Sequence, residues 1–401
     1  LDRLYLALAI ASLALTANAW RPFRRPAVLG AVSFFAGWFV SELALHHVLL
    51  QVAFTWWFST QGAFETGVGH AGLGLASVSW LGMLLLLRPA ATTRRAIVDA
   101  IDEAFDTPCA SAVHPRDLNR LMLPFRFGDR SVTRDRNIVY AEVGKFRLKL
   151  DVFRPQEAGE GHPVLLHIHG GGWVIGSKDT QGLPLMRRMA SQGWVVVNAN
   201  YRLSPRATFP DHLIDIKRAL AWVRAHIAEY GGDPDNVVIA GLSAGAHLAS
   251  LAALTPNRPE LQPGFEEVDT RLTGCVAMYG VYDALDRDGD WPHRGMVRLM
   301  ERLVLKVSPE ANPALWKLAS PIDQVGPQAP PFLIVHGDRD SMVPAAQARR
   351  FRDALRQAAP DVPVAYAELS GAQHAFDIFY SLRTNMALDG IAAFLERVRP
   401  A

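Results

Sequence analysis

Apolar residues crowd the first part of the chain in three runs, Leu4–Trp20, Ala27–Phe54 and Val68–Leu87. Each comes near or exceeds the ~20 residues that cross a bilayer, so the pattern predicts three membrane helices. Over Arg94–Asp106 the apolar positions Ile97, Ile101 and Phe105 recur at helical spacing, which predicts a helix stopped by Pro108. From Asn137 the period becomes that of strands. Asn137–Val143 and Phe146–Phe153 meet at Gly144-Lys145 as a hairpin. Further strands are expected at Pro163–His169, Gly193–Ala199, Val237–Gly241, Gly274–Tyr279, Pro331–His336 and Val362–Leu369. Helices are expected between and after them at Gln181–Ser191, Pro210–Tyr230, Ala244–Leu254, Ala345–Ala359 and Thr384–Val398. Near-continuous apolar strands alternating with helices predict an α/β class fold, a mostly parallel sheet covered on both faces with the hairpin as its antiparallel edge. The expected organisation is a membrane domain over 1–88, a linker over 89–136 and a catalytic domain over 137–401, with a lid-like insert at about 282–321. In that insert Met296, Leu299, Met300 and Leu303 form an apolar stripe, read as a lid, with ordinary core as the alternative.

Charge orients the first region. Arg21, Arg24 and Arg25 follow the first run, Arg88, Arg94 and Arg95 follow the third, and Thr55–His70 holds no Lys or Arg. The positive-inside rule then puts both arginine flanks and the catalytic domain on the cytoplasmic face. Arg3, the apolar run and Ala17-Asn18-Ala19 also read as a cleavable signal, which would favour the opposite face. Glu42 and His46 are i, i+4 neighbours inside the second run and are expected to pair, reaching towards His70; a headgroup or proton site is the other reading. His114–Arg136 interleaves Arg116, Arg120, Arg126, Arg130, Arg134 and Arg136 with Leu and Phe, an interfacial segment or a linker packed on the enzyme. The net charge of +2 across 401 residues gives no reason to expect a nucleic-acid partner. The two cysteines, Cys109 and Cys275, lack metal-ligand spacing and read as buried thiols, so neither a disulfide framework nor a zinc site is expected.

The chemistry clusters where strands end. Val237–Ile239 runs through Gly241-Leu242-Ser243-Ala244-Gly245 into an Ala-rich helix, the spacing of a nucleophile elbow that holds Ser243 proud of a tight turn. His169-Gly170-Gly171-Gly172-Trp173 follows another apolar strand, and bare amides there are expected to receive an oxyanion. The donors would be the N–H groups of Gly171, Gly172 and Ala244. Phosphate binding is disfavoured, because no Gly-Lys-Ser/Thr ending follows. Two carboxylates, Asp338 and Asp340, end one strand, and His374 follows the last. The order Ser, Asp, His with Asp340 preferred over Asp338 predicts the triad Ser243–His374–Asp340. His169 is read as a brace for the glycine loop and His247 as structural. Gly170, Trp173 and Leu242 are expected to support the site or line its pocket, and Asp283 to support the His374 loop.

Together His169–Trp173, Tyr201-Arg202-Leu203-Ser204-Pro205, Gly232-Asp233-Pro234, Gly241–Gly245, Gly337–Asp340 and His374 make the chain from Asn137 to Val398 resemble the hormone-sensitive-lipase-like esterases of the α/β-hydrolase superfamily. Leu242 and Ala246-His247-Leu248 depart from that pattern and look more like the prenylcysteine-methylesterase-like and kynurenine-formamidase-like branches. The resemblance implies a serine carboxylester hydrolase without a cofactor, acting on a small-molecule or lipid ester beside a lipid bilayer. An amidase or formamidase using the same groups, and an inactive membrane-bound scaffold, are the alternatives. The residues are silent on oligomeric state.

Overall fold

The computed structural model describes residues 1–24, 27–109, 118–125, 127–157 and 159–399. Five helices come first: α1 (Asp2–Trp20), α2 (Ala27–Glu42), α3 (Ala44–Thr60), α4 (Gly67–Ala91) and α5 (Thr93–Phe105). The short α6 (Leu118–Met122) precedes an eight-stranded sheet. Its strands are β1 (Val132–Val143), β2 (Phe146–Pro155), β3 (His162–Ile168), β4 (Val195–Ala199), β5 (Gly232–Leu242), β6 (Gly274–Met278), β7 (Phe332–Gly337) and β8 (Val364–Leu369). They lie in the order β1-β2-β4-β3-β5-β6-β7-β8. The β1–β2 and β2–β4 pairs are antiparallel and all others parallel, the hairpin-edged sheet that the apolar pattern predicts.

Every second residue of a strand faces the same way, and β5 displays the consequence. Val237 and Ile239 enter one core while Val238, Ala240 and Leu242 enter the other. The first core is closed by α8 (Asp211–His226), α9 (Ala244–Leu254) and α12 (Ala345–Ala358), together with the insert that contains α10 (Gly295–Leu299) and α11 (Pro313–Leu318). The second is closed by α7 (Leu183–Ser191), α13 (Leu382–Arg397) and residues of α2 and α5. β1 starts earlier than the expected Asn137, because Arg134, Asp135 and Arg136 interrupt the apolar alternation, yet Arg134 and Asp135 pair in the ladder and Arg136 falls in a bulge within the strand. Their charges are met by Asp151, Arg154 and Asp179 across a bulge.

The linker expected at 89–136 is not a free tether. α4 and α5 form one apolar helix from Gly67 to Phe105, and α5 buries Ile97 and Ile101 against β8 and α13, covering the sheet's last edge. Arg120 pairs with Asp129, so that arginine serves the protein, while Met122, Leu123 and Phe125 are exposed. Arg116 and Arg126 of the same segment lie outside the described residues, as does Arg25.

The second apolar run also departs from expectation. It is two helices, α2 and α3, bent by 84° at Leu43. Glu42 does not pair with His46. Its carboxylate accepts from Arg383 Nε at 2.9 Å and from Ser381 Oγ at 2.8 Å, both at the start of α13, and this pull on the last residue of α2 coincides with the break. His46 Nε2 lies 3.3 Å from the Met122 carbonyl, and His70 Nδ1 lies 3.0 Å from that of Thr66. Within the bundle α1 runs parallel to α4, with Ser12 on Ser79 and Trp20 on Gly82, and antiparallel to α3, with Tyr5 on Thr55 and Ser12 on Gln51.

Candidate active site

β5 delivers Ser243 into a turn at φ 54°, a left-handed conformation that side chains rarely adopt. Its amide donates to the Met278 carbonyl at 2.9 Å, and α9 begins at the next residue. The turn tightens only because its neighbours lack side chains: a Cβ on Gly245 would lie 2.2 Å from the Ile168 carbonyl, and one on Gly241 would lie 2.2 Å from that of Gly245. This geometry turns the hydroxyl towards the loop after β8. Ser243 Oγ stands 2.9 Å from His374 Nε2, and His374 Nδ1 stands 2.7 Å from Asp340 Oδ2.

Asp340 is fully buried and well supplied with donors. The amides of Met342 and Val343 reach its Oδ1 at 2.8 and 2.7 Å, and His336 Nε2 lies 3.2 Å from Oδ2. Burial pushes its carboxyl up, but the His374 and His336 imidazoles outweigh that and hold it well below the usual carboxylate range. Asp338 acts on the backbone instead. Its Oδ1 accepts from the Gly371 amide at 2.8 Å, pinning the loop that carries His374. Gln373 Oε1 ties the two loops together by accepting from the amides of Ser341 and His374.

The glycine loop lies beside the elbow. A Cβ on Gly170 would meet the Leu242 carbonyl at 2.7 Å and the Ser243 Cβ at 3.1 Å. The Gly170 amide is spent on Gln181 Oε1 at 2.8 Å. The Gly171 and Gly172 amides have no acceptor among the described residues, and the Ala244 amide, first in its helix, has no intrahelical one. Three donors beside one hydroxyl can take up negative charge that develops there. His169 stacks on Tyr201 at 4.5 Å, its Nδ1 lies 2.8 Å from the Gly170 carbonyl, and burial pushes its imidazole down to about 4, so it is neutral at pH 7. Tyr201 Oη donates to the His169 carbonyl and the Ser204 amide to that of Trp173. The Tyr201–Pro205 motif thereby braces the loop.

Other expected positions sort differently. Trp173 and Leu242 are buried and form no open pocket wall; Trp173 Nε1 donates to His247 Nδ1 at 3.2 Å. His247 Nε2 lies 2.7 Å from the Ala319 carbonyl, so both ring nitrogens are engaged away from Ser243. Asp283 does not hold the His374 loop. It pairs with Arg287, four residues on, and accepts from the Leu285 and Arg287 amides. The support comes from Tyr279, whose ring meets His374 edge-on at 4.7 Å and whose hydroxyl donates to Asp377. Burial raises the Asp377 carboxyl to about 6, against the pull of the Tyr279 hydrogen bond. Tyr279 has no role in the sequence analysis although it directly follows β6 beside the site; its place after an apolar strand was the available signal. From the insert, Leu299 comes within 3.9 Å of a Cβ built on Gly172. From the first region, Phe34 of α2 sits edge-on to His374 with ring centroids 6.0 Å apart. Among the described residues no cluster of His, Cys, Asp and Glu could hold a metal ion.

A mostly parallel eight-stranded sheet with this elbow has the α/β-hydrolase fold, and the relatives place the chain among the carboxylic ester hydrolases. The chain is a member of the BD-FAE family, whose model matches residues 150–355. The probable carboxylic ester hydrolase LipM of Mycobacterium tuberculosis is 41% identical over 98% of this chain and 93% of its own length. The esterase LipQ of the same organism is 47% identical over 65% of this chain and 61% of its own. The butyrate-bound esterase Est2 of Thermogutta terrifontis superposes with a TM-score of 0.56 at 27% identity, covering 70% of this chain and 98% of that one. The protein is accordingly a serine carboxylic ester hydrolase.

Proposed function

We propose that the protein is a membrane-anchored esterase for amphiphilic carboxylic esters, working through an acyl-enzyme on Ser243. The observation that carries this reading is the unbroken relay from Ser243 Oγ to His374 Nε2 at 2.9 Å and from His374 Nδ1 to Asp340 at 2.7 Å. Ser243 attacks the ester carbonyl while His374 takes its proton, and Asp340 holds the ring and stabilises the imidazolium. The carbonyl oxygen becomes an oxyanion facing the Gly171, Gly172 and Ala244 amides, each worth ~3 kcal/mol in the transition state. His374 then returns the proton to the leaving alcohol. Water, activated by the same imidazole, releases the acid.

Anchoring rests on α1 and on the α4–α5 helix, each long and apolar enough to cross a bilayer, with the bent α2–α3 pair between them. Arg21 and Arg88 sit at the ends that meet the hydrolase region, which favours a catalytic domain on the cytoplasmic face. The insert around Leu299 serves as a lid over the acyl side. Esterase and amidase chemistry separate on substrate: p-nitrophenyl acyl esters of graded length should be turned over, with N-formylkynurenine left essentially intact. Turnover of N-formylkynurenine alone would replace this reading with the amidase one.

A further inference from the structure

α2 has two apolar faces. Gly30, Ser33, Phe34, Gly37 and Trp38 turn inward, while Leu29, Val32, Phe35 and Phe39 form an exposed stripe at helical spacing. The inward face reaches the site: Phe34 meets His374 at 6.0 Å and stacks with Trp38 at 5.9 Å. Trp38 packs on Phe379 at 5.0 Å, and Phe379 in turn meets the exposed rings of Phe39 at 6.1 Å and Phe125 at 5.3 Å. A continuous run of rings thus joins the outer surface to the imidazole. Trp38 Nε1 is buried in that run without an acceptor among the described residues, a donor open to an oxygen from outside the chain.

α1, α3 and α4 lie along one another, whereas α2 stands at 84° to α3. If the three are the spans, α2 lies along the membrane surface. It then lies between the hydrocarbon and the catalytic histidine, with its exposed stripe outward. Chemistry fixes which half of a substrate α2 meets. The oxygen that His374 protonates is the leaving alcohol's, so that group departs on the Phe34 side. With the oxyanion taken up by the Gly172 amide as proposed above, the carbonyl carbon's other substituent is left to the side of Leu299, which lies 3.9 Å from a Cβ built on Gly172.

We propose that α2 is an interfacial helix that admits bilayer-resident esters to the site, and that the long apolar group it receives is the leaving alcohol. This rests on the serine-esterase reading above and narrows its substrate to esters of lipid-like alcohols with short acyl groups. The test compares two isomers, dodecyl acetate and methyl tridecanoate, given to the full chain in phosphatidylcholine nanodiscs. kcat/KM should favour dodecyl acetate by about ten-fold or more, and Phe34→Ala should bring the ratio towards one. The milder Phe34→Leu should fall between them. A ratio does not depend on the fraction of folded enzyme, so a destabilised variant still reports. A wild-type preference for methyl tridecanoate, equal loss on both isomers in Phe34→Ala, or turnover of p-nitrophenyl acetate with neither isomer cleaved would each overturn the proposal alone. Failure to cleave p-nitrophenyl acetate would overturn the esterase reading with it.

Discussion

The sheet region and the N-terminal helices are both rich in apolar residues, but they are arranged in opposite senses. In the sheet region, Val, Leu and Ile fill the interior, as an aqueous solvent requires, and buried charges such as Asp151 and Asp215 are paired with Lys178, Arg134 and Arg202. In the helices, Leu8, Val32, Phe35, Trp56 and Leu81 are exposed, while Ser12, Thr16 and Ser79 are buried in mutual hydrogen bonds. Water would not stabilise that inversion; a hydrocarbon solvent would, and polar contacts between helices are then the adhesive. The two regions meet at the loops that carry Asp340 and His374. Arg24 donates to the Asp338 carbonyl, Arg339 to that of Ala19, and Arg383 binds Glu42.

The largest expected effect lies wholly in the sheet region. Asp340→Asn should lower kcat on p-nitrophenyl butyrate by about 10⁴-fold, because the imidazole loses its orienting anion. Asp338→Asn should cost less than about ten-fold, since that carboxylate only pins a loop amide. Steady-state kinetics decide it, and the reverse ranking would reassign the acid.

Next comes the contact between regions. Arg383→Met strands a buried Glu42 carboxylate and should cost ~3–5 kcal/mol, read from the thermal inactivation midpoint. Glu42→Gln combined with Arg383→Met should recover much of the loss. A neutral single substitution would mean that the helices and the hydrolase are energetically independent.

A third contrast concerns acid, and it should strike the sheet region. Burial lowers His167, His169, His212 and His247 from 6.5 to about 4 in the folded chain. Between those values the unfolded chain binds the extra protons, so stability falls as pH falls through that window. Asp377, raised from 3.8 to about 6, works the other way with a single proton. The thermal midpoint should therefore drop from pH 7 to pH 4.5. Hydrogen exchange should rise in the strands while α1 and α4 stay protected; uniform exchange in both regions would contradict the contrast.

What could be read from residues alone follows the same division. Ser243, Asp340 and His374 stand in local contexts, each at the end of an apolar strand, and neighbours in sequence announce them. The strands, too, are local patterns, though β1 began at Val132 and β5 at Gly232, each ahead of its apolar stretch, because Arg134-Asp135-Arg136 and Asp233-Pro234-Asp235-Asn236 broke the alternation yet stayed within the strands. At the break no Pro or Gly marks the bend in a mostly apolar run, and the neighbouring residue that is tied elsewhere is Glu42. Its partner, Arg383, lies more than three hundred positions away. Phe34 reaches His374 over a similar separation, which makes its role invisible to periodicity. Tyr279 and Asp283 differ in that a local signal existed: Tyr279 follows an apolar strand, and Arg287 at i+4 offered Asp283 a partner nearer than the histidine loop.

The central claim is that Ser243 is a nucleophile activated by His374. The most direct measurement is mass spectrometry of the full chain after treatment with a fluorophosphonate. The account requires one adduct, on the peptide containing Ser243, formed rapidly in the wild type and absent from Ser243→Ala, with labelling slowed severely in His374→Ala. Folded wild-type protein that stays unlabelled, or an adduct that survives in Ser243→Ala, would contradict it.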